Sequence, residues 1–416
     1  MRRALIAAVA SLSLGLGVAG LAAPAMAAGP VPNTQFGLHV PDISQGVDPG
    51  VSYGAIRLWD SGISWGKIQQ SKGNFWWTGM DQAIGNANKQ NVKILYVLGS
   101  TPTWAASNKK QGTYPNKGAA SMPDMGAWKT WVKAVVNRYG DSIESYQIWN
   151  EANLATFWQG TPKQMAQLTK EAYKIIKAGD PSAQVVAASS TVRLQSAYKK
   201  FFPAYLKELK KTGWPVDVIS AHTYPAGNGG PAERAVFIAQ VRADMNKAGV
   251  PAGRALWDTE INYGIKGPGG IPGRSIGGAD AASYVARTYL DDLLLGVDRA
   301  YWYFWDTPNS LIGITLQDGT TGAIGYQTVN SWLQNAYYSC TPGAVNSCQL
   351  GDYANPEVVA WSVKPNGTFT VPVNATLQCD ALGTCSNVTG GATVTIGNMP
   401  LWFGTSSKNI ANQSGS

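Results

Sequence analysis

Cysteine is missing from the first 339 residues of this 416-residue chain, and only two histidines, His39 and His222, occur anywhere in it. Most of the sequence therefore lacks the ligands of a Cys/His metal centre, and no Cys-x-x-Cys pair offers a zinc site elsewhere. Phosphate-binding loops are missing too. No strand-like run ends in G-x-G-x-x-G or G-x-x-x-x-G-K, which argues against nucleotide chemistry and against an open, doubly wound sheet. Charge is scarce, at 14% of residues, with a formal net value of +8. The basic residues gather in helical stretches such as YKKFFPAYLKELKK. They read as a solvated face that serves solubility or an anionic polysaccharide, with no nucleic-acid partner.

What is present begins with an export signal. MRRALIAAVASLSLGLGVAGLAAPAMA joins two arginines to a run of small apolar residues and ends in Ala25-Met26-Ala27, which predicts a secretory signal cleaved after Ala27. A membrane anchor is the alternative, and it suits a run so rich in Gly, Ala and Ser less well. No later stretch is apolar for long enough to span a bilayer, so the mature protein is expected to be secreted, without a membrane span, and monomeric. The cysteines agree with export. Cys340, Cys348, Cys379 and Cys385 are even in number and closely spaced, which predicts two local disulfides, Cys340–Cys348 and Cys379–Cys385, among the three connectivities open to four cysteines.

Eight short β-rich runs follow the signal: QFGLHV, GAIRLW, VKILYVLG, SYQIWNE, AQVVAAS, DVISAHTYP, RALWDTEINY and RAYWYFWD. Amphipathic helical patterns separate most of them, several ending at Gly. The first connection, PDISQGVDPGVSY, has room for no more than a turn of helix. Apolar strands alternating with helices predict a parallel sheet covered on both faces, and eight repeats predict an α/β fold of the (β/α)8 TIM barrel type over residues 28–338. From about GYQTVNSWLQNAYYS onward the composition shifts to short Thr/Val-rich runs between Gly, Asn and Pro. Residues 339–416 are therefore expected to form a small all-β, sandwich-like accessory domain, stapled by the cysteines.

In such a barrel the active site lies at the carboxyl ends of the strands. Run four ends at Asn150-Glu151 and run seven reaches Glu260, so two carboxylates meet one rim. A pair of carboxylates flanking a scissile bond is the machinery of glycoside hydrolysis: one protonates the leaving oxygen, the other attacks the anomeric carbon or activates water. Around them the strand ends supply Arg57, Trp104, His222, Tyr224, Asn262, Trp305 and, at the end of run one, His39. Arg57 and Tyr224 are expected to donate to Glu260 and lower its pKa. Trp149 and the charge of Glu260 are expected to raise that of Glu151. Trp59, Trp65, Trp104, Trp158 and Trp305, at or just past strand ends, are candidates for stacking on sugar faces. The loops at 107–124 and 264–280 are expected to shape the cleft.

With WNEAN and a second glutamate in WDTEINYG, the chain resembles the clan A retaining glycoside hydrolases. His222-x-Tyr224, a Trp-ending eighth strand and a trailing β-domain are most similar to family 39, in a secreted actinobacterial-type form. The resemblance implies that Glu151 is the acid/base and Glu260 the nucleophile. It further implies that Asn150 binds the sugar 2-hydroxyl, His222 and Tyr224 orient the nucleophile, and Trp305 floors the subsite of the cleaved sugar. It also implies a poly- or oligosaccharide substrate, an arabinoside, xyloside or related glycan, and neither metal nor organic cofactor. Many members continue Asn-Glu with Pro where this sequence has Ala152, so families 5, 30, 51 and 79 stay open. Two other readings keep the same residues: an enzyme that transfers sugars to acceptors other than water, and a non-catalytic carbohydrate-binding or envelope-associated barrel.

Overall fold

The computed structural model describes residues 29–267, 273–306, 311–351 and 357–406; the expected signal peptide lies outside them. Strands β1 (Phe36–Leu38), β2 (Ala55–Leu58), β3 (Lys93–Val97), β4 (Ser145–Gln147), β5 (Gln184–Val186), β6 (Val218–His222), β7 (Ala255–Ile261) and β8 (Arg299–Trp302) close into one parallel barrel, with β8 pairing back onto β1. All eight expected strands are present and in order. Between them run helices α1 (Trp65–Ile68), α2 (Thr78–Lys89), α3 (Met125–Tyr139), α4 (Pro162–Gly179), α5 (Gln195–Lys211), α6 (Pro231–Ala248), α7 (Gly278–Leu295) and, after β8, α8 (Thr321–Leu333). The β1–β2 connection holds only a 3-10 turn, Ile43–Gln45.

The local sequence explains the punctuation. Thr161 and Gln164 form a reciprocal capping box at the start of α4, with Pro162 as its first residue. Gly249 and Gly296 end α6 and α7 with φ of 73° and 72°, a left-handed turn that costs a residue with a Cβ more than it costs glycine. Bore-facing and helix-facing side chains alternate along the strands. Ala55, Leu95, Val186, Val218, Trp257 and Tyr301 fill the bore, and Arg57, Gln147, Ser220 and Thr259 form a buried polar group linked by hydrogen bonds.

The C-terminal part is antiparallel. A six-stranded sheet, β9 (Tyr338–Thr341), β10 (Val345–Leu350), β11 (Glu357–Ser362), β13 (Leu377–Asp380), β14 (Cys385–Asn387) and β16 (Leu401–Gly404), is accompanied by a two-stranded ribbon, β12 (Gly367–Thr370) with β15 (Thr393–Ile396). The disulfides Cys340–Cys348 and Cys379–Cys385 join directly opposed residues of β9/β10 and β13/β14. One face of the large sheet packs its Ala360 and Phe403 with Phe369 and Ile396 of the ribbon. The other face, with Val359, Trp361 and Trp402, belongs to the same continuous core as the barrel. Trp361 Nε1 donates to Asp291 Oδ1 of α7 at 2.8 Å, and Ser283 Oγ of α7 donates to the Asn398 carbonyl at 2.8 Å.

Beside that contact lies a buried ion network. Arg234 on α6 donates to Asp258 Oδ2 of β7 (2.9 Å) and Asp292 Oδ1 of α7 (2.6 Å), and all three are essentially inaccessible. Arg234→Met strands both carboxylates, and urea unfolding is expected to show a loss of about 3–5 kcal/mol. The exposed pair Lys174–Glu171 provides the control: Lys174→Met is expected to change stability by less than about 1 kcal/mol.

Candidate active site

Arg57, at the carboxyl end of β2, has a fully enclosed guanidinium that serves three acceptors. Its Nε donates to Gln147 Oε1 (2.7 Å), Nη2 to Asn150 Oδ1 (2.8 Å) and Nη1 to Glu260 Oε1 (2.6 Å). Tyr224, just past β6, donates its hydroxyl to Glu260 Oε2 at 3.0 Å. His222 places Nδ1 3.2 Å from Glu151 Oε1 and 3.3 Å from Glu260 Oε2. Glu151, His222 and Glu260 each contribute one atom to a group in which every separation is within 4.8 Å. Such a trio also has the spacing of metal ligands. Here, however, both Glu260 oxygens already accept from Arg57 and Tyr224, so the positive charge that a cation would bring is supplied by the guanidinium.

Glu260 does not reach this position by plain strand alternation. On β7, Trp257 and Thr259 face the bore, while Asp258 faces Arg234 in the helix layer. Regular alternation would send Glu260 outward with Asp258. The pairing of β7 with β8 shifts register between Asp258 and Ile261, and that irregularity turns Glu260 to the barrel mouth. On β4, Gln147 faces inward and Trp149 would be expected to follow. Trp149 instead packs on Trp128 and Trp158 and donates to the Phe157 carbonyl. Glu151 then adopts φ of +39°, its amide held by Ser189 Oγ at 2.9 Å, and its carboxylate meets His222.

The electrostatics follow from burial. The Glu151 carboxyl is pushed up to about 7, chiefly by desolvation, with Arg193 and Arg57 pulling down and Asp60 pushing up. Burial dominates this shift, and the charge that adds to it is that of Asp60, where Glu260 was expected. Glu260 departs from expectation. Arg57 and Tyr224 do contact it, yet its pKa is raised, because desolvation outweighs the pull of His222 and Arg57, and the charges of Glu151 and Asp60 add to the rise. Burial lowers His222 to about 4, so the ring is neutral near pH 7. Nδ1 faces two carboxylate oxygens and therefore carries the proton. With both oxygens of Glu260 engaged by donors, the proton of the pair belongs on Glu151.

The remaining sequence candidates divide. Asn150 joins the cluster through Arg57. His39 lies at the bore wall: Nε2 is 3.0 Å from the Thr259 carbonyl, its ring packs edge-on against Tyr303, and no hydrogen bond reaches either glutamate. Asn262 does not face the carboxylates. Its Nδ2 donates to the Tyr303 and Ile314 carbonyls (2.6 and 2.8 Å) and its Oδ1 accepts from the Tyr263 and Ile314 amides, so it clamps the segment after β8. Trp104 sits against α1, its Nε1 donating to the Gln69 carbonyl and its ring edge-on to Trp65. Trp65 and Trp158 are core residues, and Trp305 is buried with its amide on the His39 carbonyl. Trp59 lines an open cleft, with Asp60, Ser100 and Tyr114.

Three residues escaped sequence reasoning. Gln147 positions Arg57. Asp60, one place past Trp59, accepts from Tyr303 (2.7 Å) and from Tyr114 (3.3 Å) of the 107–124 loop. A polar residue directly beyond an apolar strand end was the available signal for Asp60, as it was for Glu151. Arg193, in the loop after β5, faces Glu151 electrostatically and carried no such signal.

No family model matches the chain. Endoglucanase A of Paenibacillus lautus is 30% identical over 161 residues, covering 30% of this chain and 22% of that protein, so the chain spans about a fifth of the curated relative's length. A family 39 glycoside hydrolase from the gut symbiont Bacteroides cellulosilyticus WH2 is similar in structure, with a TM-score of 0.67 and 17% identity over 90% of this chain and 81% of that one. A monomeric beta-xylosidase from Caulobacter crescentus CB15 gives a TM-score of 0.63 at 18% identity, over 91% and 97%. The chain thus shares the fold of family 39 glycoside hydrolases: a closed (β/α)8 barrel with a C-terminal antiparallel region.

Proposed function

We propose that the protein is a secreted, retaining glycoside hydrolase acting by double displacement on a plant or microbial poly- or oligosaccharide. The observation that carries this reading is the pairing of Glu151 and Glu260, whose nearest oxygens lie within 4.8 Å while burial keeps a proton on Glu151 up to about pH 7. Retaining enzymes hold their carboxyl groups about 5–5.5 Å apart and inverting ones about 6.5–9.5 Å apart, because the latter must admit a water. The close spacing supports the former.

In the first step a Glu260 oxygen bonds to the anomeric carbon as the bond to the leaving oxygen breaks, and Glu151 gives that oxygen its proton. In the second, the Glu151 carboxylate takes a proton from water while the water oxygen attacks the anomeric carbon and releases Glu260. Arg57 and Tyr224 fix the rotamer of Glu260. Neutral His222 bridges the two carboxylates without adding charge. Asn150, with its Oδ1 held by Arg57, presents its amide toward the sugar 2-hydroxyl. The names of the similar proteins favour a β-xyloside or a β-glucan. The two disulfides suit an oxidising destination, and among the described residues no helix is long and apolar enough to cross a membrane.

Proton NMR of the fresh products from aryl β-xylosides and β-glucosides is the test. The first-formed sugar is expected to keep the anomeric configuration of the substrate. Initial appearance of the opposite anomer would reject double displacement, and binding of sugars without turnover on a wide glycan panel would favour a recognition barrel instead.

A further inference from the structure

Asp258 and Asp292 are buried against Arg234, and Glu260 against Arg57. Asp60, two places beyond the end of β2, holds no such partner. Its hydrogen-bond donors among the described residues are two phenols, Tyr303 on Oδ2 at 2.7 Å and Tyr114 on Oδ1 at 3.3 Å. A carboxylate offers about four acceptor sites, so each oxygen has room for a further donor. The side chain is also within reach of a ligand, because it is half-buried and lines the open cleft with Trp59, Ser100 and Tyr114. Spare acceptors at the mouth of a site are what a hydroxyl-rich ligand engages.

The place of Asp60 in the ring of strands selects the sugar it meets. Glu151 protonates the leaving oxygen from the β4 side, so the sugar that bonds to Glu260 extends the other way, over β8 and β2. A wall stands there. Tyr224, which donates to Glu260, lies edge-on to Tyr303 with ring centroids 6.2 Å apart, and Tyr303 in turn donates to Asp60. Arg57 and Asn150 flank the anomeric end of this space, which leaves to Asp60 the hydroxyls farthest from it. Xylo- and gluco-configured sugars carry neighbouring equatorial hydroxyls at positions 3 and 4, and two such donors suit the two oxygens of one carboxylate. We propose that Asp60 accepts the 3- and 4-hydroxyls of a xylo- or gluco-configured sugar bound at Glu260, and so requires that sugar to be a chain end. Tyr114 reinforces the requirement, since its contact with Asp60 draws the 107–124 loop across the path of a chain continuing beyond position 4. The proposal rests on the glycosidase reading and adds a mode of action to it, the removal of terminal sugars.

The test is a set of binding ratios that needs no turnover. Xylobiose and cellobiose, and their analogues with a 3-deoxy, 4-deoxy or 4-O-methyl sugar at the non-reducing end, are titrated calorimetrically into the mature full-length Glu260→Gln protein. At least one parent disaccharide is expected to bind about 10- to 100-fold more tightly than its deoxy analogues, as hydrogen bonds to a charged group provide, with the 4-O-methyl compound binding no better than the 4-deoxy one. Adding Asp60→Ala is expected to bring the parent-to-deoxy ratios to about one. Asp60→Asn, which keeps the shape and a neutral acceptor, is expected to leave an intermediate ratio and gives the same reading where the alanine variant fails to fold. A residue that merely braced Tyr303 would weaken parent and analogue alike, so the ratio separates recognition from support. Equal binding of parent and deoxy compounds, ratios that survive both substitutions, a 4-O-methyl compound that binds as well as its parent, or failure of both parents to bind overturns the proposal. Absence of hydrolysis of aryl β-xylosides and β-glucosides by the wild type would reject the glycosidase reading separately, because the ratios are measured without it.

Discussion

Glu260→Gln is expected to lower kcat on an aryl glycoside by about 10^4- to 10^6-fold, with the protein still folded. The amide is nearly the same shape as the carboxylate, so it retains an acceptor for Arg57, but it has no anionic oxygen to attack the anomeric carbon. Arg57 stays satisfied by Gln147 and Asn150, which is why the loss should fall on chemistry. The smaller Glu260→Ala variant leaves a gap beside the anomeric carbon. Azide added to it is expected to restore turnover and to yield a glycosyl azide of inverted configuration, since the anion then attacks from the side of the missing carboxylate. A Glu260→Gln variant within tenfold of wild type would remove Glu260 from the nucleophile's role.

Glu151→Gln is expected to act in proportion to how much the leaving group needs a proton. On a poor leaving group such as a sugar, the first step should slow by about 10^2- to 10^4-fold; on dinitrophenolate, which leaves unprotonated, it should barely change. The pH profile gives a second reading. Burial raises the Glu151 carboxyl to about 7, so the acid is protonated below that pH and lost above it. The kcat/KM of wild type on a poor leaving group is therefore expected to fall as pH rises through about 7, and the fall should vanish in Glu151→Gln. A basic limb that persists unchanged in the variant would belong to another group.

The eight strands were legible because β-branched and aromatic runs of the right length alternate with capped helices. Two glutamates at strand ends were legible for the same reason, since their position follows from the run that precedes them. Their orientation was not. Period-two reasoning assigns Glu260 to the outward face shared with Asp258 and assigns Trp149 to the bore. The register shift on β7 reverses the first, and Trp149, past the end of β4, packs on Trp128 and Trp158 instead of the bore. Nor does composition reveal how a polar side chain is used. Asn262 resembles a sugar ligand in sequence but has its hydrogen bonds on backbone groups, and Arg193 resembles a surface cation but has its Nε and Nη1 closed off with no acceptor among the described residues. The raised pKa of Glu260 shows the same gap, because a sequence names the partners of a carboxylate but not how far water has been removed from it.

The sequence divides near residue 338 by composition, yet the structure does not divide there in thermodynamic terms. Helix α7 has one flank on the barrel and another under Trp361 and Asn398, and a single apolar cluster runs through both parts. Cutting the chain at the compositional boundary would wet Ser283, Arg287 and Asp291 on a helix whose neighbour Asp292 anchors Arg234 and, through Asp258, the strand that carries Glu260. The β-sheet is therefore part of the cooperative unit that holds Glu260 still, and in any recombination of modules it must travel with the barrel.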